Sequence, residues 1–145
     1  MTRVVDASAI GALLFNEDAA PWVRDETFGE VLIAPGLFHF ELGNICWKKM
    51  RQFPAQADTL QRNWMSWNIA PPVTIRDVDL SGTMQLAHAH NLTFYDASYL
   101  WLARDRAATL ISLDAPLVKA ARGLGLHAPQ PGDAPARHTT PRSRS

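Results

Sequence analysis

The regular alternation of short apolar runs with longer helical segments constrains this chain more than any other feature. Arg3-Val4-Val5, Val31–Ala34, Val73–Ile75 and Thr109–Leu113 are short and rich in β-branched residues, which predicts four strands. Between them, Ala9–Phe15, Pro21–Glu30, Leu37–Arg51, Ala55–Trp67, Leu80–His90, Tyr95–Arg106 and Ala115–Leu124 read as helices. Strands that alternate with helices pair in parallel and are covered by them. The predicted fold class is therefore α/β: a short parallel sheet of four or five strands with helices on both faces. A length of 145 residues suits one such domain and one core.

The domain is expected to span residues 1–128. From Pro129 onward the chain is Pro, Ser, Thr and Arg with almost no apolar residues, so 129–145 is expected to be a disordered basic tail. The tail carries Arg137, Arg142 and Arg144 against Asp133, which leaves 11 basic and 13 acidic side chains on the rest. A slightly acidic domain is not a duplex-DNA clamp, which needs a basic face. Apolar residues at 47% exclude a disordered chain. Cys46 is the single cysteine, so no intrachain disulfide forms. No export signal or membrane span is apparent, and the protein is expected to be cytoplasmic.

In parallel α/β sheets, ligands bind beyond the carboxyl ends of the strands. Four acids are expected there. Asp6 follows the first strand and Asp114 the fourth, Asp96 lies in the first turn of a helix, and Glu41 sits about one turn into another. Each Asp has a plain alternative as a helix cap, and Thr93-Phe94-Tyr95-Asp96 resembles a capping box. Glu41 shares its helix face with Leu37, Phe38 and Ile45, where a carboxylate is costly unless it is paired or bound to a cation. Converging carboxylates without a matching Lys or Arg suit a hard divalent cation such as Mg²⁺ or Mn²⁺. Such a site in turn suits hydrolytic phosphoryl chemistry.

Four segments carry a family resemblance. They are Val4-Val5-Asp6-Ala7-Ser8, Phe40-Glu41-Leu42-Gly43-Asn44, Tyr95-Asp96-Ala97-Ser98-Tyr99-Leu100 and Leu110-Ile111-Ser112-Leu113-Asp114. In this order and at this spacing the chain resembles the PIN-domain superfamily, and within it the VapC-type ribonuclease toxins of toxin–antitoxin pairs. The resemblance implies an Mg²⁺- or Mn²⁺-dependent endoribonuclease that leaves a 5′-phosphate and a 3′-hydroxyl. It implies Asp6 and Asp96 as the metal ligands, with Glu41 and Asp114 completing the catalytic acids. Ser8 and Ser112 would supply supporting hydroxyls, and Asn44 would position a carboxylate or a water. It also implies RNA as substrate, a cognate antitoxin as inhibitor, and a homodimer or a toxin–antitoxin hetero-oligomer. The stripe Phe53, Leu60, Trp64, Trp67 is the sequence candidate for a partner contact, with core packing as its alternative.

Other functions fit less well. A haloacid-dehalogenase-type phosphatase needs a second Asp two residues after the first, where this chain has Ser8. A phospho-receiver needs adjacent acids, and Asp6 is flanked by Val5 and Ala7. A non-catalytic PIN-fold module that binds RNA or protein is the remaining alternative.

Overall fold

Residues 1–133 are described by the computed structural model of this chain. The strands are β1 (Thr2–Val5), β2 (Val31–Ala34), β3 (Val73–Ile75) and β4 (Thr109–Ile111). The helices are α1 (Ala7–Leu14), α2 (Ala20–Thr27), α3 (Phe38–Gln52), α4 (Ala57–Ile69), α5 (Leu80–His90), α6 (Phe94–Arg106) and α7 (Ala115–Gly123). A single 3₁₀ turn, Pro54–Gln56, joins α3 to α4.

All strand pairs are parallel, in the order β3-β2-β1-β4. Successive strand residues point to opposite faces. Val4 and Val5 are both fully buried, as are Leu110 and Ile111, so both faces of the sheet are covered. The α/β architecture expected from the sequence is therefore present, with four strands among the described residues.

The strand order also sets the position of the site. The chain starts at the inner strand β1, builds outward through β2 and β3, and then returns to place β4 on the other side of β1. The reversal falls between β1 and β4, where an open parallel sheet forms a crevice at its carboxyl end. Val5 pairs with Ile111 in register, so the next residues, Asp6 and Ser112, leave the sheet side by side.

Two predicted boundaries move for local reasons. β4 ends at Ile111, not Leu113, because Ser112 turns its hydroxyl toward Asp6 and accepts the Asp114 N–H. α2 ends at Thr27, where the Thr27 hydroxyl donates to the Val23 carbonyl and Gly29 adopts a positive φ. α5 closes on Asn91 in the left-handed conformation. The close approach of α5 to α6 needs Gly82, since a Cβ there would lie 2.6 Å from the Trp101 indole nitrogen.

The outer edge of β4 is covered. The Leu110 N–H donates to the His127 carbonyl, and Ala128 is buried. Residues 129–133 continue from there, with the Gln130 side-chain amide donating to the Ser112 carbonyl at 2.8 Å and Arg122 paired with Asp133. The rest of the expected tail, 134–145, lies outside the described residues.

Candidate active site

Asp6 is the most constrained of the predicted residues. It is buried and caps α1, with Oδ1 accepting the Ala9 N–H at 3.0 Å. Two hydroxyls also donate to it, Ser8 to Oδ1 at 2.6 Å and Ser112 to Oδ2 at 2.5 Å. Both hydroxyls are themselves oriented by the loop after β4. The Leu113 N–H donates to Ser8 Oγ, and the Asp114 N–H donates to Ser112 Oγ. The Asp6 carboxylate is therefore fixed from two strands. Burial pushes its pKa up to about 6 despite these hydrogen bonds, and the charge of Asp114 adds to the rise.

Asp96 and Asp114 face each other. Asp114 occupies the N-cap position of α7, yet its side chain makes no capping hydrogen bond. At the start of α6 the capping runs from Thr93, whose hydroxyl accepts the Asp96 N–H at 3.1 Å. The Asp96 pKa is raised, first by burial and then by the charge of Asp114. Helix capping accounts for neither side chain.

Glu41 enters from α3, whose neighbouring Phe38 and Leu42 are fully buried. That packing holds its carboxylate half-buried against α6, where the Tyr99 hydroxyl donates to Oε1 at 2.6 Å. The Glu41 pKa is raised chiefly by burial, and the charges of Asp6, Asp96 and Asp114 push it further. Tyr99 is buried, and its hydroxyl is held protonated by burial and by Glu41. Sequence reasoning included Tyr99 in a matching segment and gave it no role. Its spacing of three from Asp96 was the available signal, because that spacing puts both side chains on one helix face.

The structure thus brings Asp6, Glu41, Asp96 and Asp114 to one sheet edge, with Ser8 and Ser112 as supports. Asn44 lies one turn beyond Glu41, is exposed, and makes no side-chain hydrogen bond among the described residues. None of the four acids pairs with a cation among the described residues. As the side chains stand, no three Asp, Glu, His or Cys groups among the described residues converge closely enough to hold one ion. The donor set itself is all hard oxygen at excess negative charge, the chemistry that suits a hard divalent cation.

Comparison with known proteins agrees with the fold. The PIN domain family model matches residues 3–123. Exonuclease VapC9 of Pyrobaculum aerophilum is 30% identical over 124 residues, covering 83% of this chain and 86% of the relative. Ribonuclease VapC3 of the same organism is 31% identical over 124 residues, covering 82% and 94%. The crystal structure of PAE2754 from Pyrobaculum aerophilum superposes with a TM-score of 0.69 at 25% identity, covering 88% of this chain and 83% of that one. VapC20 of Mycobacterium tuberculosis, a toxin that cleaves the sarcin–ricin loop, shares the fold with a TM-score of 0.57 at 13% identity, covering 81% and 94%. With the family model spanning most of its length and nuclease relatives of the VapC type beside it, the chain belongs to the PIN domain family.

Proposed function

We propose that this protein is a metal-dependent endoribonuclease toxin. The observation that carries this is the set of four carboxylates at one sheet edge, three with raised pKa values and none paired with a cation. Asp6 and Asp96 would hold Mg²⁺ or Mn²⁺, with Glu41 and Asp114 completing the shell partly through waters. A bound divalent ion supplies Lewis acidity toward a phosphate oxygen and lowers the pKa of water.

The chain's own residues supply position. Ser8, Ser112 and the Ala9 N–H fix both oxygens of Asp6, so this carboxylate does not need to reorganise when substrate arrives. Tyr99 fixes one oxygen of Glu41 and leaves the other without a hydrogen-bond partner from the described residues. In the reaction a water oxygen bonds to phosphorus, the P–O3′ bond breaks, and the departing 3′ oxygen takes a proton. The products are a 5′-phosphate and a 3′-hydroxyl.

A cognate antitoxin and a second copy of the chain are the proposed partners. Phe40, Trp47, Met65 and Ile69 on α3 and α4 are 83%, 51%, 54% and 85% exposed, an apolar surface that suits association. The stripe anticipated from sequence is divided. Trp64 and Trp67 pack against the core, Leu60 is half-buried, and Phe53 stays exposed. No helix among the described residues is long and apolar enough to cross a membrane, and a cytoplasmic location remains the proposed one. A non-catalytic PIN module is not favoured, because all four acids are present at one edge and the relatives carry nuclease names.

Relatives of this chain carry both exonuclease and ribonuclease names, so the position of the cut needs its own test. A circular RNA has no end. Incubated with this protein and Mn²⁺ it should become linear, and with chelator it should stay closed. Degradation of linear RNA alone would show an exonuclease, and cutting that persists in chelator would remove the metal from the account.

A further inference from the structure

A cavity of 730 Å³ opens beside the acidic edge, between the turn His90-Asn91-Leu92 and the face of α7 carrying Ala115, Pro116 and Lys119. Its two walls lead directly into the acids. The 90–92 turn runs through Thr93 to Asp96, and Ala115 follows Asp114. Asp96 and Asp114 lie near enough across this junction for the charge of Asp114 to raise the Asp96 pKa. A second cavity of 260 Å³ lies on the other side of Lys119, against Arg122 and Gln130. Lys119 is therefore an exposed cation on the ridge between two hollows, and it pairs with no carboxylate among the described residues.

Polyanion binding draws its affinity from cations that neutralise phosphates. Outside 129–145 this chain has an excess of acidic over basic side chains, so cations beside the acids carry unusual weight. An ammonium on a flexible stem serves as a point-charge contact for phosphate. Leu92, Ala115 and Pro116 give the cavity apolar walls, and its lining holds no Phe, Tyr or Trp and a single ring, His90, which favours grip on the backbone over stacking of successive bases.

Resting on the ribonuclease activity argued above, we propose that this cleft holds the RNA strand adjoining the scissile phosphate, with Lys119 contacting a flanking phosphate. Lys119 sets substrate affinity and does not take part in the chemistry. The contact is sequence-tolerant. The competing occupant is an acidic segment of a protein partner.

The test measures binding of a labelled RNA oligonucleotide to the Asp96→Asn protein, with and without Lys119→Ala, across a range of salt. Lys119→Ala lies on an exposed helix position and preserves helix propensity. It should weaken binding several-fold to every sequence, and it should make the salt dependence shallower by about 0.7 in log–log slope. In the otherwise wild-type enzyme it should raise KM and leave kcat unchanged. Arg62→Ala on α4 serves as a charge-matched control and should change neither quantity. Equal affinity and slope with and without Lys119, or the same loss from Arg62→Ala, would overturn the assignment. Lost binding of a poly-glutamate peptide with RNA affinity intact would assign the cleft to a protein and overturn it too. If wild-type protein neither binds nor cuts any RNA, the ribonuclease activity itself falls, and the cleft assignment falls with it.

Discussion

The two ends of the sheet treat their acids in opposite ways. At the amino end, Arg3 reaches Glu26 at 2.6 Å and Glu30 at 3.8 Å, and the amino group of Met1 lies 2.8 Å from Glu30. The terminal amine, with Arg3 behind it, holds the Glu30 carboxyl below its usual range. At the carboxyl end, Asp6, Glu41 and Asp96 are all pushed upward, and no cation answers them among the described residues. The same short strands connect both ends, and the same kinds of side chain are involved. Where only stability is at stake, the fold neutralises its acids. Where it leaves them unneutralised and fixes them with hydroxyls, it carries a cost in stability that the proposed cation site would explain.

The largest expected effect is on cleavage. Asp96→Asn should lower it by more than the roughly 10–100-fold typical of residues that merely orient a ligand. Arg3→Met, at the other end, should leave cleavage unchanged. Equal losses at both ends, followed by RNA cleavage assays, would erase the contrast.

The second effect is on the pH dependence of stability. Asp6 has a folded pKa of about 6 against an ordinary 3.8. Between those values the folded state binds more protons than the unfolded state, so metal-free protein should lose stability as pH rises. The loss should approach about 3 kcal/mol and then level off above the folded pKa. The Asp6→Asn variant should lack this slope. Glu30 has the opposite sign, contributing stability above its ordinary pKa that disappears as pH falls below it. Urea unfolding in chelator across the acid range would separate the two.

The smallest effect is the stability cost of Arg3→Met. Its ion pairs lie at the rim of the sheet, with side-chain exposures of 18% for Arg3 and 26% and 22% for Glu26 and Glu30, so the loss should be small beside the pH-dependent change at Asp6. A much larger drop in melting temperature would show that the amino end depends on those pairs more than the contrast allows.

The sheet and the four acids were legible in the sequence because they rest on local signals. Period, length and breakers mark the strands, and an acid directly after a strand marks the carboxyl edge. Glu41 was legible because a carboxylate among Leu37, Phe38 and Ile45 contradicts its surroundings. Tyr99 was not, since its hydrogen bond to Glu41 spans α6 and α3, 58 residues apart in sequence. Gln130 was hidden for the same reason. Its segment looks like tail by composition, yet its amide reaches the Ser112 carbonyl across 18 residues. Asn44 lies one turn from Glu41 as helical spacing places it, and its exposure is a feature that spacing does not reveal.

The central claim is that the carboxyl-end acids form a cation site and not a set of helix caps. Paired thermal melts of wild type and Asp96→Asn, in chelator and in saturating Mn²⁺, test it directly. In chelator the variant should melt at the same temperature as wild type or higher, because one like charge has gone from the cluster. Mn²⁺ should raise the wild-type melting temperature by mass action on the folded state and raise that of the variant much less. Equal stabilisation of both proteins by Mn²⁺, or none of either, would contradict the account.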